Sequence, residues 1–543
     1  MEWNGIYDRR LAIGGVLVAA LLAGCGGGDI NIAPTTSDNS VDNSSTTTGT
    51  EEAVNPCASY VNQAGQVVEG SFESPNCEYS VAFADSGNNV TVDLTIPALD
   101  DGGAHIFDGS LFIGEAHSTS AELAAADIAE GGDGPQLTIE AGATLAWRDN
   151  TKFVIINRGS TIFAVGTADA PITFTSVSDI EGTVDPEAVQ QWGGMVINGF
   201  GVSNKCDYTG TRGTDLALDG ECNIAAEGAE GLDESYYGGD NDADTSGRME
   251  YVIVKHTGAQ VANGDELNGI SFGGVGSNTE VNYLQVYSTY DDGIEMFGGA
   301  VDFTNFAAVY VRDDSIDIDE GYIGSIDTAL VIQSETDGDH CIESDGIGSY
   351  DDLDATTISD TISAGLNSAP TISNLTCIVS PSSAETGTHA EGHGWKFREG
   401  IEPTVVDSLV VSTFGVDSDD DNYCLDVEDT GTDPTLNGVV MICEDRFSSD
   451  GATVAAAEDI QIPLLNGQKD PTSTTNSRFV VLAGTPPIYS PLATDTLVSG
   501  SAADVTVTGT YIGAVLVDTQ TDPFAGWTYG IFEDNRGQAL WFE

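Results

Sequence analysis

Gly269-Ile270-Ser271-Phe272, Gly293-Ile294-Glu295-Met296, Ser315-Ile316-Asp317-Ile318 and Cys341-Ile342-Glu343 bring an isoleucine back at nearly even intervals, at Ile270, Ile294, Ile316 and Ile342. A second series of apolar runs, Tyr283 to Tyr287, Ala307 to Val311 and Ala329 to Gln333, lies between them. Two interleaved strand series repeating in step imply a coil of stacked rungs, in which each rung buries its apolar side only with its neighbours. Amphipathic helical spacing is nearly absent, which argues against a sheet built from βαβ units. The reading is all-β and solenoidal. A β-sandwich is the alternative, but it does not require this recurring register.

Toward the N-terminus, Ile139-Glu140-Ala141-Gly142-Ala143-Thr144-Leu145 recurs as Ile156-Asn157-Arg158-Gly159-Ser160-Thr161-Ile162. Each copy reads as strand, glycine turn, strand. Short strands follow at Ile172-Thr173-Phe174 and Met195-Val196-Ile197. Leu137 to Gly142 and Gly166-Thr167-Ala168-Asp169-Ala170-Pro171-Ile172-Thr173-Phe174-Thr175-Ser176 resemble the opening rungs of the pectate-lyase-like superfamily. Trp192-Gly193-Gly194-Met195-Val196-Ile197-Asn198-Gly199 is similar to a motif of secreted bacterial β-helix proteins without an assigned activity. The resemblance implies a right-handed parallel β-helix over residues 131–445. At roughly 22 residues per turn and about 4.8 Å per rung, about thirteen to fourteen turns give a rod of about 65 Å. A β-rich segment over 56–130, with a helix from Ser120 to Glu130, precedes it, and 446–543 reads as a C-terminal capping module.

The N-terminus carries an address. Arg9 and Arg10 precede an apolar run, Leu11 to Leu22, that is too short for a bilayer, which needs about 20 apolar residues. Residues 1–24 therefore read as a secretory signal. The run ends Leu22-Ala23-Gly24-Cys25, which resembles the lipobox of bacterial lipoproteins. That resemblance implies cleavage before Cys25, acylation of its thiol and new amine, and a lipid anchor in a membrane. Gly26 in place of Asp extends the implication to the outer membrane or cell surface. Residues 25–55, rich in Ser, Thr, Asn and Gly, read as a flexible tether.

The chain carries 87 acidic and 16 basic residues, a net charge of −71. Such a surface repels nucleic acid, which is excluded as a partner, and attracts divalent cations. Setting Cys25 aside leaves eight cysteines, an even number that implies disulfides outside the cytoplasm. Eight cysteines allow 105 pairings. The sequence-local couples Cys57/Cys77, Cys206/Cys222, Cys341/Cys377 and Cys424/Cys443 are the favoured set. No CxxC spacing suggests zinc.

The turns carry the candidate chemistry. Asp291 and Asp292 precede one strand, Asp313 and Asp314 precede its counterpart, and Asp337 and Asp339 precede the next. Glu295, Asp317 and Glu343 fall at corresponding positions within those strands. Stacking would place like charges side by side, which destabilises a sheet, unless a hard cation with six to eight oxygen ligands sits among them. Bound Ca²⁺ is the expectation. Asp417, Asp419, Asp421 and Glu428 match positions 1, 3, 5 and 12 of a Ca²⁺ loop, with Asn422 where Gly is usual. Asp240, Asp242 and Asp244 form a weaker run of the same kind.

Polysaccharide lyases of the resembled fold use Ca²⁺ and a Lys or Arg base. The corresponding candidates are Lys396 and Arg398, on one strand face, and Arg312, with Trp395 as a sugar-stacking ring. His340 and His389 have no partner at metal spacing and read as structural. The leading expectation is a Ca²⁺-binding surface lipoprotein that meets a glycan or surface-protein partner. The alternative is a lyase or glycoside hydrolase acting on an extracellular polymer.

Overall fold

The computed structural model describes residues 55–128, 131–227, 235–262, 265–382, 391–411, 423–429, 431–442, 445–448, 480–481, 489–490, 511–515 and 522–541. The signal, Cys25 and the tether lie outside them. So do Asp417, Asp419, Asp421, His389 and Cys443.

Among the described residues, ten short strands from Leu111–Ile113 to Asp445–Phe447 stack in chain order, each parallel to the next. Ile270 pairs with Ile294 and Ile294 with Ile316, while Asp317 beside Glu343 keeps Ile342 in line. The recurring isoleucines therefore mark true rungs. A sandwich is excluded, because its sheets are antiparallel and this pairing is parallel throughout. The fold is an all-β parallel β-helix.

A second, seventeen-stranded sheet forms the rest of the wall. Its longest strands include Glu280–Tyr287, Asp302–Val309, Ser325–Ile332 and Thr371–Ile378, and each of these bends at one residue. Tyr283, Asn305, Thr328 and Asn374 hold φ of 53°, 56°, 61° and 54°, and the ladder skips them. A left-handed residue turns the chain without ending the strand, so each rung has three faces. The inward positions form vertical apolar columns, such as Ile270, Ile294, Ile316 and Ile342, within one continuous core. Fully burying such a side chain contributes about 1.5–3 kcal/mol. Gly194 shows how tightly rungs stack, since a Cβ there would meet the Asn268 carbonyl oxygen at 2.1 Å.

Four expectations about organisation change. The repeat that relates Ile139 to Ile156 is not a rung, because Ile139 pairs with Ala164 in the long sheet while Ile156 pairs with Ile113 and Ile197 in the other. The repeat compares two faces of the coil. Rungs also begin well before residue 131, with Asn76–Tyr79 on His105–Phe107, Leu94–Ile96 on Gln136–Ile139, and Leu111–Ile113 on Val154–Ile156. Three-residue strands are too short to display a period. The stack of described strands is shorter than expected: eleven, from Asn76–Tyr79 to Val440–Ile442, at about 4.8 Å span about 48 Å, because long excursions such as the one between Asn198 and Gly247 consume chain.

The fourth concerns the C-terminus. Its described residues lie against the side of the long sheet, not its end. Ala514, Val515, Phe524, Trp527, Ile531 and Leu540 cover the outer faces of Ile253, Ala307, Val309, Leu330, Ile332 and Ile378. Gln285 clamps this segment by exchanging two 2.7 Å hydrogen bonds with the Tyr529 backbone. The outer face of that sheet is apolar and requires cover.

Disulfides join Cys57–Cys77, Cys206–Cys222 and Cys341–Cys377. Cys424 is also disulfide-bonded. The expected helix forms over Ser120–Ala125, capped by Thr119, whose side chain accepts from the Glu122 N–H.

Candidate metal centre

The outer face of the ten-stranded sheet gathers the acidic turns. Over four consecutive rungs, a side chain at the entry to this sheet caps the turn of the next rung. Asn268 Oδ1 accepts from the Asp292 N–H at 3.2 Å, Asp292 Oδ1 from the Asp314 N–H at 3.1 Å, and Asp314 Oδ1 from the His340 N–H at 2.7 Å. Within the strands, alternation turns Ser271, Glu295, Asp317, Glu343, Lys396 and Asp426 outward in one paired column. Two positions further along lie Asp319, Asp345 and Arg398.

Three groups bring their ligand atoms within 4.8 Å of one another: Asp291, Asp292 and Asp313; Asp292, Glu295 and Asp317; and Asp314, Asp339 and His340. Asp292, Glu295 and Asp314 are only 8%, 7% and 5% exposed. Burial pushes the carboxyls of Asp292, Glu295, Asp314 and Asp317 well above the usual range, and neighbouring carboxylates add to this for all four. Asp319, buried beside Glu320 and Asp345, is pushed up to about 7.

The basic candidates are already engaged. Lys396 Nζ lies 3.4 Å from Glu343 Oε1. Arg398 meets Glu343 Oε2 at 3.3 Å and Asp345 Oδ1 at 2.5 Å. Arg312 Nε lies 3.3 Å from Asp337 Oδ2. Lys396 and Arg398 do share the outward face, next to the acidic column.

Trp395 corrects the expectation of a sugar-stacking ring. It points inward, is fully buried, and donates its indole N–H to Cys377 Sγ at 3.3 Å. The alternation that turns Lys396 outward turns its neighbour in. The weaker aspartate run is structural as well. Asp242 receives Arg212 at 2.7 Å, and Asp244 accepts from the Gly131 and Phe200 N–H groups. Glu428, half-buried, is the described member of the expected Ca²⁺ loop, and burial raises its carboxyl.

Two participants escape a reading of the sequence. His340, which has no partner at metal spacing along the chain, sits between Asp314 and Asp339, and its Nε2 is 2.8 Å from Tyr423 Oη. Burial pulls its imidazole down, but Asp314 and Asp339 outweigh that and hold it well above its ordinary value. Asn268 heads the capping ladder. The signal that could have found both is register: Asn268 stands to Asp292 as Ile270 stands to Ile294, and Asp314 stands to His340 as Ile316 stands to Ile342. Lys205 and Glu320 form a further ion pair on a neighbouring excursion, with Ser203 and Tyr237 donating to Glu320.

The donor chemistry of the first two groups fits a hard cation, since every ligand atom is a carboxylate oxygen. No curated protein and no solved structure matched the chain. Residues 119–467 match the family model described as a pectate-lyase like beta helix domain. With parallel rungs and a matched region covering well over half of its length, the chain belongs to the pectate-lyase like β-helix family.

Proposed function

We propose that this protein is a membrane-tethered, extracytoplasmic β-helix that binds Ca²⁺ on the outer face of its ten-stranded sheet and uses that face to bind a glycan or a surface protein. The observation that carries the reading is the packing of the buried Asp292 and Glu295 with the half-buried Asp317. The neighbouring cations Lys396 and Arg398 pair with Glu343 and Asp345 instead. Uncompensated buried carboxylates either take up protons or bind a cation. The ladder does not require the charge, because Asn268 makes the same cap with a neutral amide. The tether rests on the resemblance around Cys25.

Binding is favoured over turnover because the candidate bases Lys396, Arg398 and Arg312 are each paired with a carboxylate. Arg398, held by Asp345 and Glu343, is kept firmly in its charged form and is a poor proton acceptor. Thermal unfolding of the full-length protein in detergent, in EDTA and then in millimolar Ca²⁺ or Mg²⁺, tests the reading. A Ca²⁺-specific rise in midpoint supports it, since a ligand that prefers the native state stabilises it. Equal midpoints in all three would sink it. One observation favours a second reading: Asp319, protonated up to about 7 and on the same strand face as Asp317, has the properties of a general acid. Reducing-end release from extracellular polysaccharides, lost in Asp319→Asn, would establish a hydrolase instead.

A further inference from the structure

His340 presents one nitrogen to several acids. Its Nδ1 lies 3.0 Å from Asp314 Oδ1, 2.9 Å from Asp339 Oδ1 and 3.9 Å from Glu343 Oε1. A ring nitrogen carries at most one hydrogen, and one hydrogen cannot lie along both short directions with good geometry. A metal ion in that place accepts all of these donors at once.

The spacing selects the coordination. Ligands about 2.1 Å from an ion lie about 3.0 Å apart when at right angles, and about 3.4 Å apart in a tetrahedron. The separations of Nδ1 from Asp314 and Asp339 match the first case, while the 3.9 Å to Glu343 matches neither and leaves that carboxylate at the rim. The other side of the ring is already fixed, because Nε2 meets Tyr423 Oη at 2.8 Å, the outer contact that orients a ligating imidazole. Charge agrees. Asp314 and Asp339, when ionised, bring two negative charges to a histidine only 6% exposed. A divalent ion with neutral imidazole leaves no net charge there, and Glu343 is balanced separately by Lys396 and Arg398.

We propose that Asp314, Asp339 and His340, with Glu343 at the rim, form a second metal site that takes a six-coordinate divalent transition ion. It is separate from the all-oxygen group around Asp292. The imidazole nitrogen is what distinguishes them, since it favours such ions over Ca²⁺. Binding requires the Nδ1 proton to leave, so one proton is released to solvent per ion if the imidazole starts charged.

Co²⁺ is the probe. The full-length protein in detergent, held in excess Ca²⁺ to fill oxygen-only sites, is titrated with Co²⁺ by calorimetry and visible absorption. One Co²⁺ per chain is expected, with binding weakened at least about tenfold in His340→Gln, while the Ca²⁺-induced rise in unfolding midpoint persists. Should that variant fail to fold, Asp339→Asn decides, because the Asp339 side chain is 30% exposed and its loss leaves the core intact. No Co²⁺ binding in excess Ca²⁺, or binding as tight as wild type in the folded variants, overturns the proposal. Co²⁺ binding without any Ca²⁺ response would leave this site standing and remove the Ca²⁺ reading.

Discussion

Asp292 and Asp314 occupy consecutive rungs, and the carboxylate of the first accepts the backbone N–H of the second at 3.1 Å. Each is both a turn cap and a buried charge. One rung earlier, Asn268 performs the capping role alone. Capping and charge can therefore be separated by substitution.

Asp292→Asn keeps an oxygen acceptor for Asp314 and removes a negative charge from both acidic groups that contain it. Metal-free stability is expected to rise by about 1 kcal/mol, the scale of one pKa unit, and the Ca²⁺-induced increment to shrink. Unfolding in EDTA and in Ca²⁺ measures both. A full Ca²⁺ increment in this variant would mean that the ion binds elsewhere.

The raised carboxyls fix the sign of the pH dependence. Asp319 moves from an ordinary 3.8 to about 7 in the folded protein, and Asp292, Glu295, Asp314 and Asp317 move the same way. Between the two values the folded state binds more protons, so stability is complete below about 4 and falls as pH rises toward 7. His340, also raised, adds a loss at higher pH with the same sign. In EDTA the midpoint should be higher at pH 5 than at pH 8, and Ca²⁺ should recover much of the difference. A metal-free midpoint that climbs over that range contradicts the assignment.

Trp395→Ala removes a fully buried indole from the core beside the Cys341–Cys377 disulfide. It should cost about 3–5 kcal/mol while leaving the Ca²⁺ increment in place. Denaturant unfolding with and without Ca²⁺ separates this structural role from a ligand-binding one.

Trp527 lies against Tyr251 and Tyr283, which stack at 4.2 Å, and helps cover the outer side of the long sheet. Trp527→Ala should loosen the C-terminal segment, increase binding of a hydrophobic dye and open that segment to protease before the rungs unfold. Simultaneous loss of segment and rungs would show that the two form one cooperative unit.

Cys25→Ser tests the anchor. Fractionation of the producing cell should move the protein from membrane to soluble fractions, and incorporation of labelled fatty acid should disappear. Unchanged partitioning would remove the lipid tether from the proposal.

What the sequence determined was the coil and its phase. Ile270, Ile294, Ile316 and Ile342 mark rungs because parallel stacking puts equivalent residues directly above one another. The same phase assigns Glu295, Asp317 and Glu343 to one column, where the pairing of the strands holds them. Where rungs are made of three-residue strands, as near Leu94 and Leu111, the pattern is too brief to read, and the first turns escape it. Tertiary structure alone decided which neighbours those columns meet. It laid the C-terminal residues along the side of the coil and set His340 between two aspartates. Periodicity reports position along a rung. Side-chain direction at a bend, and contact with segments far away in the chain, depend on how the turns close in space.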